Sequence, residues 1–460
     1  MNRTEHELTV SVVGLGKLGA CTAAALASRG VNVIGVDVNE RTIDLINGGH
    51  TPVDEDGLEE LIRDNQSRLR ATASYLDAVL HSDITLILVP TPSNAAGGFA
   101  LDHVRVAATK VAQALARKPT YHLVVLVSTV LPGASESGVI PLLERLSGKR
   151  CGEAFGFCYG PEFIALGSVV HDFLNPDFVL IGEYDQRSGD LLSEMYRRCC
   201  QNAPPIMRMN VVNAEITKIS VNTYVTTKIS FANMLTQICS QLPGANVDTV
   251  THAMGHDRRI GRRYLTGAVS YGGPCFPRDN VALAYLARTV GANAGLAEAT
   301  HDYNAAHRQW LLERVNAMAP PYASIAVVGL AYRPGTTVLE QATGMWLTQQ
   351  LVAQGHRVAV YDEHALDSAK QTLGDAVTYV PSLPDCVRFA DVVVLVSAGD
   401  DVKALHAGDF EQRNGRTPSV LDCWRVCGDA LGSARNVNYI PLGAGADALS
   451  LPSPIAERAS

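Results

Sequence analysis

Val10-Ser-Val-Val-Gly14-Leu-Gly-Lys-Leu-Gly19, running on into Ala20-Cys-Thr-Ala-Ala-Ala-Leu-Ala27, decides the fold of the amino-terminal part. An apolar strand-like run leads into three glycines spaced Gly-x-Gly-x-x-Gly, and an alanine-rich helical run follows. The three glycines serve different needs, namely a tight turn, close approach of a pyrophosphate, and close packing of helix on strand. The phosphate then meets free N–H groups and the positive end of the helix. Gly14, Leu15, Gly16, Lys17, Leu18 and Gly19 are therefore candidate cofactor contacts. A second strand ends at Asp37, eighteen residues after Gly19. A carboxylate there accepts hydrogen bonds from a ribose 2′-hydroxyl and repels a 2′-phosphate, which favours NAD over NADP. Arg41, also a candidate contact, argues the other way. Some other nucleotide remains a second reading of the loop.

Working outward, the first ~200 residues alternate strand-like runs with amphipathic helical windows, the pattern of a parallel doubly wound sheet. Leu8–Val13, Val31–Val36, Ile84–Val89, His122–Ser128 and Phe178–Ile181 read as strands, and Leu18–Ser28 and His103–Ala116 as helices. Past Pro204-Pro205 the pattern changes. Residues 211 to 241 contain no Gly or Pro and read as one long helix, with further helical windows to about 316. After Pro320-Pro321 the alternation resumes, with strands at Ser324–Val328, Val358–Tyr361, Val392–Val396 and Ser419–Leu421. The expected fold class is α/β: two Rossmann-like doubly wound domains joined by a long central helix. The expected division is residues 1–204, 205–318 and 319–460, with a loosely ordered tail from about Gly443.

Composition narrows the classes of partner. The 460 residues are 47% apolar and 18% charged, with a formal charge of −8, which gives no general attraction to nucleic acid or anionic membrane. No apolar stretch reaches spanning length, and the start lacks a secretory pattern. Ten cysteines form no zinc spacing, so no metal site is expected, and thiols scattered this way suit a reducing cytoplasm.

Four segments carry candidate chemistry. In Tyr271-Gly-Gly-Pro-Cys-Phe-Pro-Arg-Asp279 the thiol of Cys275 sits in a Gly/Pro loop, poorly placed for core packing. A buried structural cysteine and a nucleophile are both open on that segment alone. The flanking Gly272 and Gly273 let a substrate approach the backbone. Lys218 and Asn222 stand four apart on the long helix and share a face. Such a lysine is commonly just solvated, or else a general acid or base or an oxyanion partner, and Asn222 would hold a water or substrate oxygen. Ser128-Thr129-Val-Leu-Pro-Gly133 and Tyr159-Gly-Pro-Glu162-Phe163 follow strands, where ligands of open α/β sheets bind. A capping hydroxyl is the alternative for Thr129, and a solvated carboxylate the alternative for Glu162.

Together these segments resemble the UDP-glucose/GDP-mannose dehydrogenase family over nearly the whole chain. The resemblance rests on the glycine loop, Ser128-Thr-Val-Leu-Pro, Gly160-Pro-Glu-Phe and Asn175-Pro-Asp. It continues through Asn213-Ala-Glu-Ile-Thr-Lys218-Ile-Ser-Val-Asn222, Asp257-Arg-Arg-Ile-Gly261 and Gly272-Gly-Pro-Cys-Phe-Pro-Arg-Asp279. The last matches are Gly329-Leu-Ala-Tyr-Arg-Pro-Gly335 and Asp422-Cys-Trp-Arg425. It implies an NAD-binding domain, a homodimer through the central helix and a carboxyl-terminal domain for the nucleotide sugar. It also implies a four-electron oxidation of a C6 hydroxyl, UDP-glucose favoured. In that scheme Lys218 and Asp279 handle the proton or oxyanion and Cys275 carries a thiohemiacetal and then a thioester. Water, assisted by Glu162, Thr129 and Asp279, releases the uronic acid.

The resemblance further implies cofactor contacts from Thr91, Thr129 and Arg278. Implied substrate contacts are Glu162, Phe163, Ile164, Lys218, Asn222, Arg259, Tyr264, Leu265, Gly272, Gly273, Tyr332, Arg333 and Arg425. Three positions and one segment depart from the family pattern. Leu166 replaces a common second glutamate, Arg278 a usual lysine, and Thr266 a frequent phosphate-binding lysine, while Thr336–Ala342 lacks the common acidic-and-arginine run. Another UDP-sugar, GDP-mannose or a nucleoside-type substrate therefore stays open. So do a two-electron β-hydroxyacid dehydrogenase and a non-catalytic nucleotide-sugar binder.

Overall fold

The computed structural model describes residues 7–411 and 416–445, so the expected loose tail falls almost wholly outside the described residues. The chain forms two compact units that divide at Ser220 and Val221. The division lies inside the 31-residue helix Val211–Gln241, which matches the Gly- and Pro-free stretch read from the sequence.

The first unit is built on an eight-stranded sheet. Its strands are β1 (Thr9–Val13), β2 (Asn32–Val36), β3 (Leu69–Thr72), β4 (Ile84–Ile87), β5 (His122–Leu126), β6 (Phe155–Tyr159), β7 (Val179–Glu183) and β8 (Ile206–Asn210). Their order is β3-β2-β1-β4-β5-β6-β7-β8. All neighbours are parallel except β6 and β7, where the direction reverses. Helices cover both faces, so successive residues of a central strand enter different cores. Val10 and Val12 pack in one apolar cluster and Val13 in the other; Leu123 and Val125 alternate likewise with Val124 and Leu126. Burial on both faces explains why these strands read as unbroken apolar runs. The strand β8 carries the sheet past Pro204-Pro205, where the sequence suggested it ended.

The second unit carries a six-stranded sheet of β9 (Ser324–Val328), β10 (Arg357–Tyr361), β11 (Thr378–Tyr379), β12 (Val392–Leu395), β13 (Ser419–Asp422) and β14 (Asn438–Pro441). The order is β11-β10-β9-β12-β13-β14, parallel throughout. Relative to its first strand this is 3-2-1-4-5-6, the doubly wound dinucleotide-fold order. Three helices, Val247–Gly255, Phe276–Thr289 and Gly295–Met318, precede it. Among the described residues no helix is long and apolar enough to cross a membrane.

Candidate active site

The glycine loop of the first unit is shaped by backbone approach. Gly14 has φ +92°, and a Cβ there would stand 2.3 Å from the carbonyl oxygen of Leu88. A Cβ on Gly19 would stand 1.8 Å from the carbonyl oxygen of Gly14, so only glycine lets the helix Lys17–Ser28 lie against the turn. Gly16, by contrast, faces open space with nothing within 4 Å. It caps the helix without a side-chain bond, leaving the N–H groups of the first turn for an anion. Leu15 is buried, while Gly16 and Lys17 are exposed and Leu18 is half-buried.

Asp37 completes this edge. One carboxylate oxygen accepts from the Leu15 N–H (2.7 Å) and the other from the Asn39 N–H (2.9 Å). Each oxygen so keeps an acceptor site for a ribose diol. The second sheet contains a telling counterpart. Gly329 (φ +98°) follows β9, Gly344 packs on its carbonyl, and Asp362 follows β10. There one oxygen of Asp362 accepts from Leu330 and Ala331, and the other from His364 and Ala365. With four backbone donors on it, that carboxylate has no site left for a ribose. Of the two carboxylates, that of Asp37 is the one left open to a ribose.

Two loops follow strands of the same unit. Thr129 is half-buried, and its carbonyl accepts from the buried Thr91 hydroxyl at 2.8 Å. It caps no helix, since the next one starts at Ser135. Lys218 is 8% exposed. Its ammonium donates to the Glu162 carbonyl at 2.6 Å and lies 4.5 Å above the Phe163 ring. It is therefore not the solvated lysine that a helix surface usually carries. The Glu162 carboxyl is pushed up to about 7 by burial, against the pull of the Tyr196 hydroxyl (2.8 Å) and the Lys218 charge. A carboxyl so placed can take up or give a proton near neutrality. Ile164 and Leu166 pack on the apolar core. Leu166 thus anchors the loop through packing where a glutamate would be expected.

The second unit holds the thiol. Cys275 is exposed at the start of helix Phe276–Thr289, whereas the other nine cysteines are buried. A helix N-terminus favours negative charge on sulfur. One turn on, Asp279 is fully buried; it accepts from the Asn222 amide at 2.6 Å and pairs with Arg278 at 3.2 Å. Asn222 therefore holds a carboxylate, where the sequence suggested a water or substrate oxygen. Gly272 and Gly273 serve the chain itself. A Cβ on Gly272 would stand 2.5 Å from the Gln341 carbonyl oxygen, and one on Gly273 (φ +82°) 2.6 Å from the Tyr332 ring. Asn280 and Asn304, which sequence reasoning passed over, fix this loop from below. Asn280 donates to Thr226, to the Tyr271 hydroxyl and to the Phe276 carbonyl, and Asn304 brackets both backbone groups of Tyr271.

The remaining substrate candidates divide sharply. Arg259 and Arg333 are exposed, and Arg259 makes a close pair with Asp257 (2.6 Å). Tyr264 is 52% exposed with φ +62°, a costly conformation for a bulky residue, and its ring edge meets Phe276. Leu265 is buried. Arg425, expected at a diphosphate, is turned inward in this structure. Its guanidinium is bidentate to the buried Asp248 (2.7 and 3.0 Å) and donates to the carbonyls of Gly267, Cys423 and Leu442. All five N–H groups are spent on the protein.

Comparison with known proteins bears on each part of this geometry. The family model for the NAD binding domain of the UDP-glucose/GDP-mannose dehydrogenase family matches residues 8–200. The central-domain model matches 212–306 and the UDP binding domain model 326–429. NAD is the cofactor, and the open Gly16 edge with Asp37 fits it. Replacing Asp37 by Asn removes the charge but not the size. We expect the NAD KM to rise about tenfold, the equivalent of one charge-assisted hydrogen bond, and the preference over NADP to shrink. Steady-state kinetics with both cofactors check this; an unchanged preference would remove Asp37 from the site.

A UDP-glucose 6-dehydrogenase of Haloferax volcanii is 34% identical over 423 residues, covering 91% of this chain and 97% of that protein. A GDP-mannose 6-dehydrogenase of Pseudomonas putida is 32% identical over 412 residues, covering 86% and 93%. The solved structure of a UDP-glucose dehydrogenase from Pyrobaculum islandicum superposes with a TM-score of 0.86 at 30% identity, over 96% of this chain and 99% of that one. Matched in all three parts and over nearly the full length of these relatives, the chain belongs to the UDP-glucose/GDP-mannose dehydrogenase family.

Proposed function

We propose that the protein oxidises the C6 hydroxyl of a nucleotide sugar, UDP-glucose first among them, to the carboxylate in two steps on one thiol. The observation that carries this reading is Cys275: the single exposed cysteine, at a helix start, one turn before a fully buried carboxylate. A two-electron alcohol dehydrogenase has no use for such a group. Bound NAD supplies the hydride acceptor for each oxidation. Lys218 stabilises the oxygen of the alcohol as it loses its proton. The Cys275 sulfur adds to the aldehyde carbon to give a thiohemiacetal, whose loss of a second hydride leaves a thioester. Water then displaces the thiol, with Glu162 accepting its proton and Thr129 and Asp279 assisting, and the acid leaves. The balance is one alcohol, one water and two NAD consumed for one carboxylate, two NADH and three protons.

Incubating a panel of UDP- and GDP-sugars with NAD, with mass spectrometry of the products, tests both substrate and reaction. Two NADH per acid, without free aldehyde, is the expected result. One NADH with an aldehyde or keto product would end the four-electron reading in favour of a simple dehydrogenase.

The same proposal includes a homodimer through helix Val211–Gln241. Its support is an apolar stripe of Tyr224, Phe231, Met234, Ile238 and, just beyond the helix, Leu242, each 37–63% exposed. A helix seam spaced by three, four and seven residues suits a second helix better than water. Exposed Arg259 then serves the partner's nucleotide sugar, where a guanidinium makes bidentate contacts with phosphate. Arg259→Ala and Cys275→Ala subunits should each be inactive as homodimers. Random mixing should restore roughly a quarter of the wild-type activity, since half the dimers are mixed and each has one intact site. Mixed dimers without activity would confine Arg259 to its own subunit. The reading also places the enzyme in the cytoplasm, where its cysteines stay as thiols.

A further inference from the structure

Glu215 is a fully buried carboxylate in the first turns of helix Val211–Gln241, outside any role assigned above. Its two oxygens accept from the N–H groups of Gly133 (2.6 Å) and Ser135 (3.0 Å). Those donors lie in the segment that begins at Thr129. The far end of the segment is fixed as well, by the Thr91 hydroxyl on the Thr129 carbonyl. Between the two anchors run Val130, which is fully buried, Leu131 and Pro132. Gly133 itself has φ +87°, and a π-helical turn, wider in radius than an α-helix, follows at once over Ser135–Val139. Backbone of this kind holds its course only where something specifies it.

Three residues along the same helix, Lys218 donates to the Glu162 carbonyl. Residues three apart share a helix face. One turn of helix thus grips both loops that bear candidate catalytic groups, Thr129 through Glu215 and Glu162 through Lys218. Burial pushes the Glu215 carboxyl up, against the Ser135 side chain and the Gly133 and Ser135 N–H groups, which draw it down.

We propose that Glu215 is a positioning residue that sets Thr129 for release of the acyl group. It does so by fixing the Gly133–Ser135 turn to the helix that carries Lys218. A carboxylate is required chemically. Glutamine would offer one acceptor oxygen and turn an NH2 toward the second N–H, and aspartate falls one methylene short. The inference rests on the four-electron reading above.

The test compares Glu215→Gln and Glu215→Asp with wild type. Displacing a catalytic group by about 1 Å costs roughly a hundredfold. In Glu215→Gln we expect that loss in acid formation, a nucleotide-sugar KM within about twofold of wild type, and an acyl adduct on Cys275 seen by intact-protein mass. Glu215→Asp should recover part of the rate. Wild-type acid formation in Glu215→Gln would overturn the proposal. So would loss of the folded state in both variants, which would make Glu215 a residue of stability alone. The two readings fail separately: one NADH per product in the wild type sinks the four-electron scheme, whereas two NADH with a fully active Glu215→Gln sinks only the role of Glu215.

Discussion

Cys275→Ser should stop acid formation and leave the sugar acyl group on the protein. The serine oxygen can still add to an aldehyde, but an oxygen ester is hydrolysed far more slowly than a thioester, so an adduct persists. Cys275→Ala can form no adduct, and its acid-forming rate should fall by roughly 10⁶-fold, as when the nucleophile of a concerted site is removed. Intact mass with NADH counting separates the two variants. Stability offers an independent check. The thiol is exposed, so neither change empties a cavity, and unfolding free energy should move by no more than about 0.5 kcal/mol. A structural cysteine would give the opposite pair of results: a stability loss with activity kept. Full acid formation by Cys275→Ala would remove the covalent step.

Why the thiol was visible in the sequence, and other features were not, follows from range. The glycine loop, Asp37 and β9 are local patterns, and their strands are buried on both faces, so the apolar runs were unmistakable. The strand β3 was missed because it is four residues long with an exposed Arg70, and β8 because it is a half-exposed edge directly after two prolines. The strand β6 is fully buried yet contains Gly156, whose missing side chain makes room for the hydroxyls of Tyr121 and Ser188. Gly272 and Gly273 stood out as special positions, but their cause is the chain around Tyr332 to Gln341, which no local window contains. Glu215 lay inside a recognised segment without a role, because its partner at Gly133 is 82 residues away. Asn222 was expected to hold a water or substrate oxygen, and its bond to Asp279 escaped notice for the same reason, since Asp279 stands 57 residues on.

Arg425 shows the same limit with the largest energetic consequence. Sequence reasoning offered it to a diphosphate, whereas the folded chain pairs it with Asp248, 177 residues earlier, in an environment where both side chains are 4% exposed. Removing one partner of a buried pair strands the other charge without solvent, which costs about 3–5 kcal/mol. Arg425→Ala should therefore lower the melting temperature of the carboxyl-terminal unit by about 10 °C, taking a few degrees per kcal/mol for a unit of this size. Three carbonyls, of Gly267, Cys423 and Leu442, lose their donor at the same time and deepen the loss. Arg425→Lys keeps the charge but has three donors for five acceptors and no fork to match the carboxylate, so it should recover only part of the stability. Arg425→Met with Asp248→Leu removes both charges and should sit well above either single change, because well-packed apolar groups replace a buried pair at little net cost. The contrast with a phosphate ligand is direct. A diphosphate-binding arginine, once lost, raises the nucleotide-sugar KM about a hundredfold and leaves the apo-protein melting temperature unchanged, since a charge-assisted bidentate contact contributes up to ~3 kcal/mol to binding. Thermal unfolding of the apo protein beside substrate titration of the folded fraction distinguishes the two. A variant that melts like wild type but binds nucleotide sugar weakly would return Arg425 to the substrate.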